Sequence, residues 1–415
     1  MNMVRQGNEQ DRGFTIMEQG TVTTPQGFRA GAVYCGLKKV ERYDLGAIVC
    51  DVPATAAGVY TTNLVIAAPL VVTREAIAQE QRLQAIVVNS GNANACTGLQ
   101  GEQDAREMQQ IFAHLQHIPP HYVGVTSTGV IGVPLPMAKV RRGLDALHAS
   151  ISREGGDDFC QAIMTTDLVK KTACVRLTVD GRTVHIAGAA KGSGMIHPQM
   201  ATMLGFMTTD ANMAAGSLDA LLSRATDETF NMITVDGDTS TNDMVVAMAS
   251  GLAGNEPLSA AHPEWPKFAE AFQYVAQVLA KAIARDGEGA TKLIEVNVSG
   301  AASDEDARAI AKTIVGSSLV KSAVYGSDAN WGRIIAAAGR AGVPINPHNV
   351  NIWLGDVAVL QASQPLPFDE VAAKQVLDGT DVTIRVELNL GAGSATAWGC
   401  DLTYDYVKIN ASYRT

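Results

Sequence analysis

The sequence predicts a mixed α/β fold of the α+β kind. Short runs of strand-forming residues alternate with helical patterns along the 415 residues, and glycine-rich turns separate them. Hydrophobic residues make up 47% of the chain and charged residues 18%, which is typical of a globular protein with a large interior. The length favours two or three domains over one.

The first elements are predicted between residues 84 and 148. An apolar run predicts a buried strand over 84–89, which leads into the polar loop 89–94. A helix is expected from about 101 to 117. A second strand over 122–126 runs into residues 127–132, and a further helix is expected from about 136 to 148.

The clearest helix is predicted over about 266–284. Its apolar residues fall on one stripe, at Phe268, Phe272, Val275, Leu279 and Ile283. Glycines at 287 and 289 end it, and a strand over 293–298 follows. A helix is then predicted to start at Ser303, where three acidic residues occupy the first turn and favour the helix dipole. We place a domain break near 286–292.

Composition and charge argue against several classes of protein. The formal net charge is -10, the pI is about 5.3, and no run of Lys or Arg exceeds two residues. This pattern disfavours nucleic acid and anionic membrane surfaces as partners. Residues 1–13 lack the apolar stretch of a secretory signal, and no apolar run is long enough to span a bilayer. The expected compartment is therefore the cytoplasm.

Neither the cysteines nor the acidic residues form a recognisable metal motif. The six cysteines are scattered without a CxxC pair, so we expect reduced core thiols. Residues 234–243 contain three Asp and three Thr, but they lack the order of an EF-hand loop. We expect these polar side chains to line a buried site or to bond a tight turn, and no metal is predicted.

The most distinctive segment is residues 191–204, which reads as a self-cleavage site. Glycines and a proline hold a loop in which Ala201 precedes Thr202. Cleavage between them would give Thr202 a free α-amino group beside its hydroxyl, so one residue would supply both nucleophile and base. The loop lacks the third glycine of a dinucleotide fingerprint and the Gly-Lys-Ser/Thr ending of a P-loop, which disfavours nucleotide binding.

Self-cleavage also needs donors for an oxyanion and a route for protons. The backbone of the turn Ser127–Thr128–Gly129 is a candidate oxyanion site, although an ordinary turn is the alternative. His197 lies close to the proposed cut. Two roles are open for it at this point, which are proton transfer and stabilisation of the loop.

Several motifs in a fixed order resemble one known family, the ornithine acetyltransferases of arginine biosynthesis, also called glutamate N-acetyltransferases. The resemblance extends from about residue 14 to the C-terminus. The matching segments are 191–196, 200–204, 234–243, 89–98, 325–333 and 409–415.

This resemblance implies a precursor that cuts itself between Ala201 and Thr202. The products would be an α chain of residues 1–201 and a β chain of residues 202–415. The implied fold is an N-terminal-nucleophile-like αββα sandwich, completed by residues 202–285, with a smaller α/β domain over about 286–400. The implied assembly contains two α and two β chains.

The resemblance also assigns roles to residues of this sequence. Thr202 would be the nucleophile, and Thr128 with Gly129 would form the oxyanion hole. The implied substrate contacts are Thr165 (with Thr166 as the alternative in alignment), Lys191, Thr202, Glu288, Asn410 and Thr415. Without the resemblance, Glu288 would be interpreted as a solvated turn residue after a helix.

The implied activity is a ping-pong transfer of acetyl from N2-acetyl-L-ornithine to L-glutamate through acetyl-Thr202, which yields ornithine and N-acetylglutamate. No cofactor is expected, and acetyl-CoA is a further candidate donor, as in an amino-acid N-acetyltransferase. Two alternatives remain open at this point. A related N-terminal-nucleophile aminopeptidase or amidase would pass the acyl group to water, and a noncatalytic metabolite-binding protein would stay uncut.

Overall fold

The computed structural model describes residues 13–197, 203–214 and 216–411. The strands are β1 Phe14–Ile16, β2 Phe28–Val33, β3 Leu45–Tyr60, β4 Arg82–Asn92, β5 Val123–Val130, β6 Lys171–Val179, β7 Arg182–Lys191, β8 Leu204–Thr209, β9 Ile233–Thr234, β10 Met244–Ala249, β11 Leu293–Ala301, β12 Asn351–Leu354, β13 Val357–Gln361, β14 Gln364–Pro365, β15 Asp381–Glu387 and β16 Gly393–Cys400. The helices are α1 Ala68–Glu80, α2 Gly98–Gln116, α3 Met137–Ser150, α4 Gly156–Ile163, α5 Ser217–Glu228, α6 Trp265–Arg285, α7 Asp304–Val315, α8 Ser318–Tyr325, α9 Trp331–Gly339, α10 Glu370–Asp378 and α11 Tyr404–Ala411.

The mixed α/β class is confirmed, and the strands of the described residues form two sheets. The first has the order β1-β6-β7-β8-β10-β3-β4-β5, with β2 also paired to β3. The second has the order β14-β13-β12-β15-β11-β16-β9. Strand β9 therefore brings residues 233–234 into a sheet whose other strands all come from residues 293–400. The domain break near 286–292 stays a prediction.

The predicted elements are confirmed, with small differences at their ends. The strand expected at 84–89 is the longer β4, and the strand expected at 122–126 continues as β5 to Val130. The helix expected at 266–284 is α6, which buries the predicted apolar stripe. At the start of α7, the Ser303 hydroxyl accepts a hydrogen bond from the Asp306 N–H at 3.1 Å, as expected for an N-cap.

Helix α6 sits where the two sheets share a core. It packs on β6 and β7 of the first sheet and also contacts β16 of the second. Its apolar stripe belongs to one continuous cluster with buried residues of both sheets. Burying such a stripe is the main source of stability for an amphipathic helix. In the described parts of the chain, no helix combines the length and the apolar composition that crossing a membrane requires.

Candidate active site

Strand ends of the first sheet converge on one cavity of about 350 Å³. Lys191, the last residue of β7, pairs with Leu204, the first residue of β8, and Leu204 pairs in turn with Met244 of β10. The end of β5 forms another wall. The lining residues are Thr128, Gly129, Val130, Ile131, Thr165, Thr166, Lys191, Gly194, Met195, Ile196, Met203, Leu204, Ser240, Asn242, Asp243, Glu288 and Asn410.

The cavity brings together the sequence-predicted site residues that the structure describes. Thr128, Gly129, Thr165, Thr166, Lys191, Glu288 and Asn410 all line it, although they are spread over 283 positions of the chain. The proposed cleavage residues Ala201 and Thr202, and the C-terminal Thr415, lie outside the described residues. Met203, which directly follows Thr202 in the sequence, is itself part of the cavity wall.

The turn at the end of β5 depends on glycine at position 129. Gly129 has φ +135°, a conformation that other residues rarely adopt. A Cβ atom there would also fall within 3 Å of the Gly91 and Asn92 backbone on the neighbouring strand β4. The close approach of these two strands therefore fixes the backbone at Gly129 and turns it toward the cavity.

Buried amides hold this turn against the start of β10, the strand that pairs with β8. The Asn89 carboxamide accepts the Ser127 hydroxyl at 2.5 Å, next to the predicted oxyanion turn. From the other side, the Asn242 amide donates to the carbonyl oxygens of Ser127 (2.8 Å) and Ala93 (2.6 Å). Asn242 lies just before β10, so these bonds tie the start of that strand to the turn.

Glu288 is a buried wall of the cavity, and its interpretation as a solvated turn residue is wrong. Only 7% of the residue is exposed. Its carboxylate accepts the Asn410 amide at 2.9 Å, and its own N–H donates to the Ser193 carbonyl at 2.9 Å. Gly194 lies directly against the carboxylate, with no room for a side chain between them.

The cavity also holds an ammonium and a second carboxyl that perturb each other. Burial lowers the pKa of Lys191, although the nearby carboxyls of Asp167, Asp243 and Glu288 oppose this shift. Burial raises the pKa of Asp243 well above its ordinary value, against the influence of Lys191. One oxygen of Asp243, Oδ2, is buried without a hydrogen-bond partner in the described structure. A buried carboxyl oxygen without a partner, beside a buried lysine, is typical of a site that binds a polar ligand.

Residues 234–243 fulfil both uses predicted for them, since some line the cavity and others bond a turn. The Asp236 carboxylate accepts the N–H groups of Met195 (2.7 Å) and Ile196 (2.9 Å). The Thr239 hydroxyl donates to the His197 carbonyl at 2.8 Å. Residues 195–197 are therefore held by contacts with this polar segment. No group of three or more potential metal ligands occurs within 13–197, 203–214 and 216–411.

His197 stabilises this loop. Its Nδ1 lies 2.9 Å from the Thr234 hydroxyl. Burial lowers the pKa of His197 to about 4, with a further contribution from Lys312. The imidazole is thus neutral near pH 7. Of the two open roles, the contacts favour the structural one.

A wider groove of about 1140 Å³ adjoins the cavity. It shares Gly129, Val130, Thr165 and Thr166 with the cavity wall. Its outer part is formed by residues 37–43, where Lys39 and Arg42 are exposed cations. An extended ligand in this groove could therefore reach the oxyanion turn from outside.

Sequence reasoning did not single out Asn242 or Asp243, although it marked the segment that contains them. Their distinguishing property is burial of a polar side chain, which depends on the folded neighbours. Together, a cavity that buries Lys191 and Glu288 and a glycine turn on its wall suit acyl transfer to or from a small zwitterion.

Comparisons with known proteins agree with this geometry. The model of the ArgJ family matches residues 29–415. The arginine biosynthesis bifunctional protein ArgJ of Geobacillus kaustophilus is 57% identical over 401 residues, which cover 97% of this chain and 98% of the relative. The protein of the same name from Halalkalibacterium halodurans is 57% identical over 400 residues, which cover 96% and 97%.

A solved structure is similar over half of the chain. The crystal structure of arginine biosynthesis bifunctional protein ArgJ from Bacillus halodurans is 58% identical, with a TM-score of 0.50. The match covers 51% of this chain and 100% of the solved chain.

Proposed function

This chain belongs to the ArgJ family, and from that premise we propose that it is a self-processing acetyltransferase of arginine biosynthesis, which moves acetyl from N2-acetyl-L-ornithine to L-glutamate. The observation that carries the proposal is the single cavity that joins Thr128, Gly129, Lys191 and Glu288 beside Met203. Each group there has a use in acyl transfer between two amino acids.

The first proposed step is cleavage of the chain. The Thr202 hydroxyl attacks the Ala201 carbonyl carbon, the peptide C–N bond breaks, and an ester forms while the amine takes up a proton. Water then hydrolyses the ester and leaves an α chain of 201 residues and a β chain of 214. The half-length match to the solved Bacillus halodurans chain supports this step, since the full-length relatives align with nearly the whole chain.

The second proposed step loads the acetyl group. The α-amino group of Thr202 has an ordinary pKa of about 7.7 to 8.0, so it can accept the hydroxyl proton near neutral pH. Oγ attacks the acetyl carbon of acetylornithine, and Thr128 with Gly129 stabilise the tetrahedral oxyanion. The C–N bond then breaks, the proton passes to the leaving nitrogen, and ornithine departs.

Glutamate completes the cycle by the reverse sequence. Its amino nitrogen attacks the acetyl ester, the C–Oγ bond breaks, and the proton returns to Thr202. The charges of the cavity suit both partners, because Lys191 can meet a carboxylate while Glu288 can meet an ammonium. The same pocket can thus accept the two amino acids in turn.

Two measurements test the proposal. Denaturing mass spectrometry of the purified protein should give two chains, and Thr202→Ala should give one chain of 43.7 kDa. Incubation of the cut enzyme with acetylornithine and glutamate should yield N-acetylglutamate with ping-pong kinetics. Hydrolysis of peptides without N-acetylglutamate would instead identify an aminopeptidase or amidase, and an uncut wild-type chain would refute self-processing.

Acetyl-CoA is proposed as a second donor. The groove beside the oxyanion turn supports this, because its exposed cations Lys39 and Arg42 can meet phosphates while its inner end reaches Gly129. Glutamate with acetyl-CoA and no acetylornithine should release a thiol and N-acetylglutamate. Absence of both products would remove acetyl-CoA and leave the first activity intact.

The assembly is proposed to contain two α and two β chains. Native mass spectrometry tests this number directly, since one α and one β chain would give a particle of half the mass.

A further inference from the structure

A buried cluster of three charged residues lies beside the cavity without lining it. The Lys171 ammonium is 2.7 Å from Asp167 and 2.6 Å from Asp286. The side chains of Lys171 and Asp167 are fully buried, and that of Asp286 is 5% exposed. Buried charges are costly unless they are fully paired and hydrogen-bonded, and the carboxylates of this cluster also accept hydrogen bonds from backbone groups around the cavity.

Asp167 holds the backbone of two segments that carry predicted substrate contacts. One carboxylate oxygen accepts the Thr165 N–H at 2.9 Å. The other accepts the Gly192 N–H at 2.7 Å, directly after Lys191. Thr165 and Lys191 are therefore fixed by one carboxylate, although they come from different elements.

Asp286 extends the same network to the opposite wall. Its carboxylate accepts the Leu168 N–H at 3.0 Å, and its backbone carbonyl accepts the Ser193 hydroxyl at 2.7 Å. Ser193 in turn accepts the Glu288 N–H at 2.9 Å through its own carbonyl. A continuous set of short bonds thus runs from Thr165 through the cluster to Glu288.

Asp167 is held in its ionised form by its neighbours. Burial alone would raise the pKa of Asp167, but Lys191, Lys171 and the Gly192 N–H together lower it below its ordinary value. Asp167 accepts hydrogen bonds at both carboxylate oxygens, whereas an amide in its place would present N–H hydrogens to the donors at one of them. The geometry therefore requires an acceptor at both oxygens of this side chain.

The cluster also spans the proposed cut. Asp167 and Lys171 precede Ala201, whereas Asp286 follows Thr202, so the Lys171 to Asp286 ion pair would join the α chain to the β chain. We propose that Asp167, Lys171 and Asp286 are positioning residues for acetyl transfer, which hold Thr165, Lys191 and Glu288 at a fixed spacing across the two chains. This inference rests on the proposed acetyltransferase function.

The central test replaces Lys171 with methionine, which keeps much of its volume and removes its charge. Lys170→Met is the matched control, because Lys170 forms a comparable ion pair with Asp157 at the surface. Steady-state kinetics on cut, purified protein should give KM values for acetylornithine and glutamate that rise about tenfold to a hundredfold in Lys171→Met, with a smaller change in kcat. The control should stay within about twofold of wild type.

Ser193→Ala provides a second variant if Lys171→Met fails to fold or to cut itself. It removes one hydroxyl bond between the cluster and the Glu288 segment and leaves the charges in place, so it should also raise both KM values. A cut, folded variant with a lower Tm but wild-type KM values would overturn the proposal, because the cluster would then be structural only. A wild-type enzyme that transfers no acetyl would instead refute the proposed function.

Discussion

Replacement of Gly194 by alanine is a sharp steric test of the cavity. Gly194 has an ordinary backbone conformation, so an alanine adds no strain to the chain itself. Its Cβ atom, however, would lie 2.6 Å from Oε1 of Glu288 and closer still to Cδ and Oε2. The carboxylate therefore has to move.

The distance by which the Glu288 carboxylate has to move determines the expected loss of kcat/KM. Real Cβ atoms essentially never approach another heavy atom within 3.0 Å, and ordinary contact begins near 3.4 Å. The carboxylate must shift by roughly 1 Å, which also breaks the 2.9 Å bond from Asn410. A misplacement of about 1 Å in a catalytic site can cost about 10²-fold in rate, so we expect kcat/KM to fall about 10²-fold.

The assay is formation of N-acetylglutamate by cut enzyme, with Gly339→Ala as the matched control. An added Cβ at Gly339 meets nothing within 4 Å, so this variant should keep wild-type activity. The double variant Gly194→Ala with Glu288→Ala should be no worse than Glu288→Ala alone, because both changes act on the same carboxylate. Wild-type kcat/KM in Gly194→Ala would refute the assigned role of Glu288.

Two further predictions concern the turn and the buried acid. In Gly129→Ala, the added Cβ would collide with the Gly91 backbone and displace the oxyanion turn. Losing one oxyanion donor costs about 10²-fold to 10³-fold in kcat, so we expect a fall of that size. Steady-state kinetics with unchanged kcat would contradict this. Asp243→Asn should stabilise the folded protein increasingly as pH rises above about 4, since folded Asp243 keeps a proton that the unfolded chain releases. The difference between Asp243→Asn and wild type should grow by at most about 1.4 kcal/mol per pH unit, until the raised pKa is reached. Calorimetry from pH 4 to pH 7 measures it, and a difference independent of pH would show that Asp243 is already ionised.

Local features of the fold were predictable because their causes are local. The stripe of α6 and the cap at Ser303 depend on residues within a few turns of each other, and both are found as predicted. The order of strands in the sheets depends on partners far apart in the chain. The pairing of β9 with β16, for example, joins residue 233 to residue 398. The two-residue strand β9 contains no sequence pattern that predicts this pairing.

The residues of the candidate site show the same difference between what local sequence predicts and what depends on distant contacts. Motifs of a known family pointed to Lys191 and Glu288, and the fold places both in one cavity. Chemistry alone would have left Glu288 in a solvated turn, since the contact with Asn410 crosses 122 positions. Lys171 lies in no predicted motif, and Asp243 was not singled out within the motif 234–243. Their importance comes from burial and charge pairing, which exist only in the folded chain.

The anchoring of the central segment explains how a cut there can leave the site intact. Before the proposed cut, Asp236 holds the backbone of Met195 and Ile196. After it, the Met203 carbonyl accepts the Met244 N–H at 2.9 Å, which attaches the chain to β10. Both sides are therefore fixed by bonds that do not pass through the Ala201–Thr202 peptide. Hydrolysis of that peptide would create two new termini, the carboxylate of Ala201 and the amine of Thr202, while Met203 stays in the cavity wall, which is what a nucleophile created by cleavage requires.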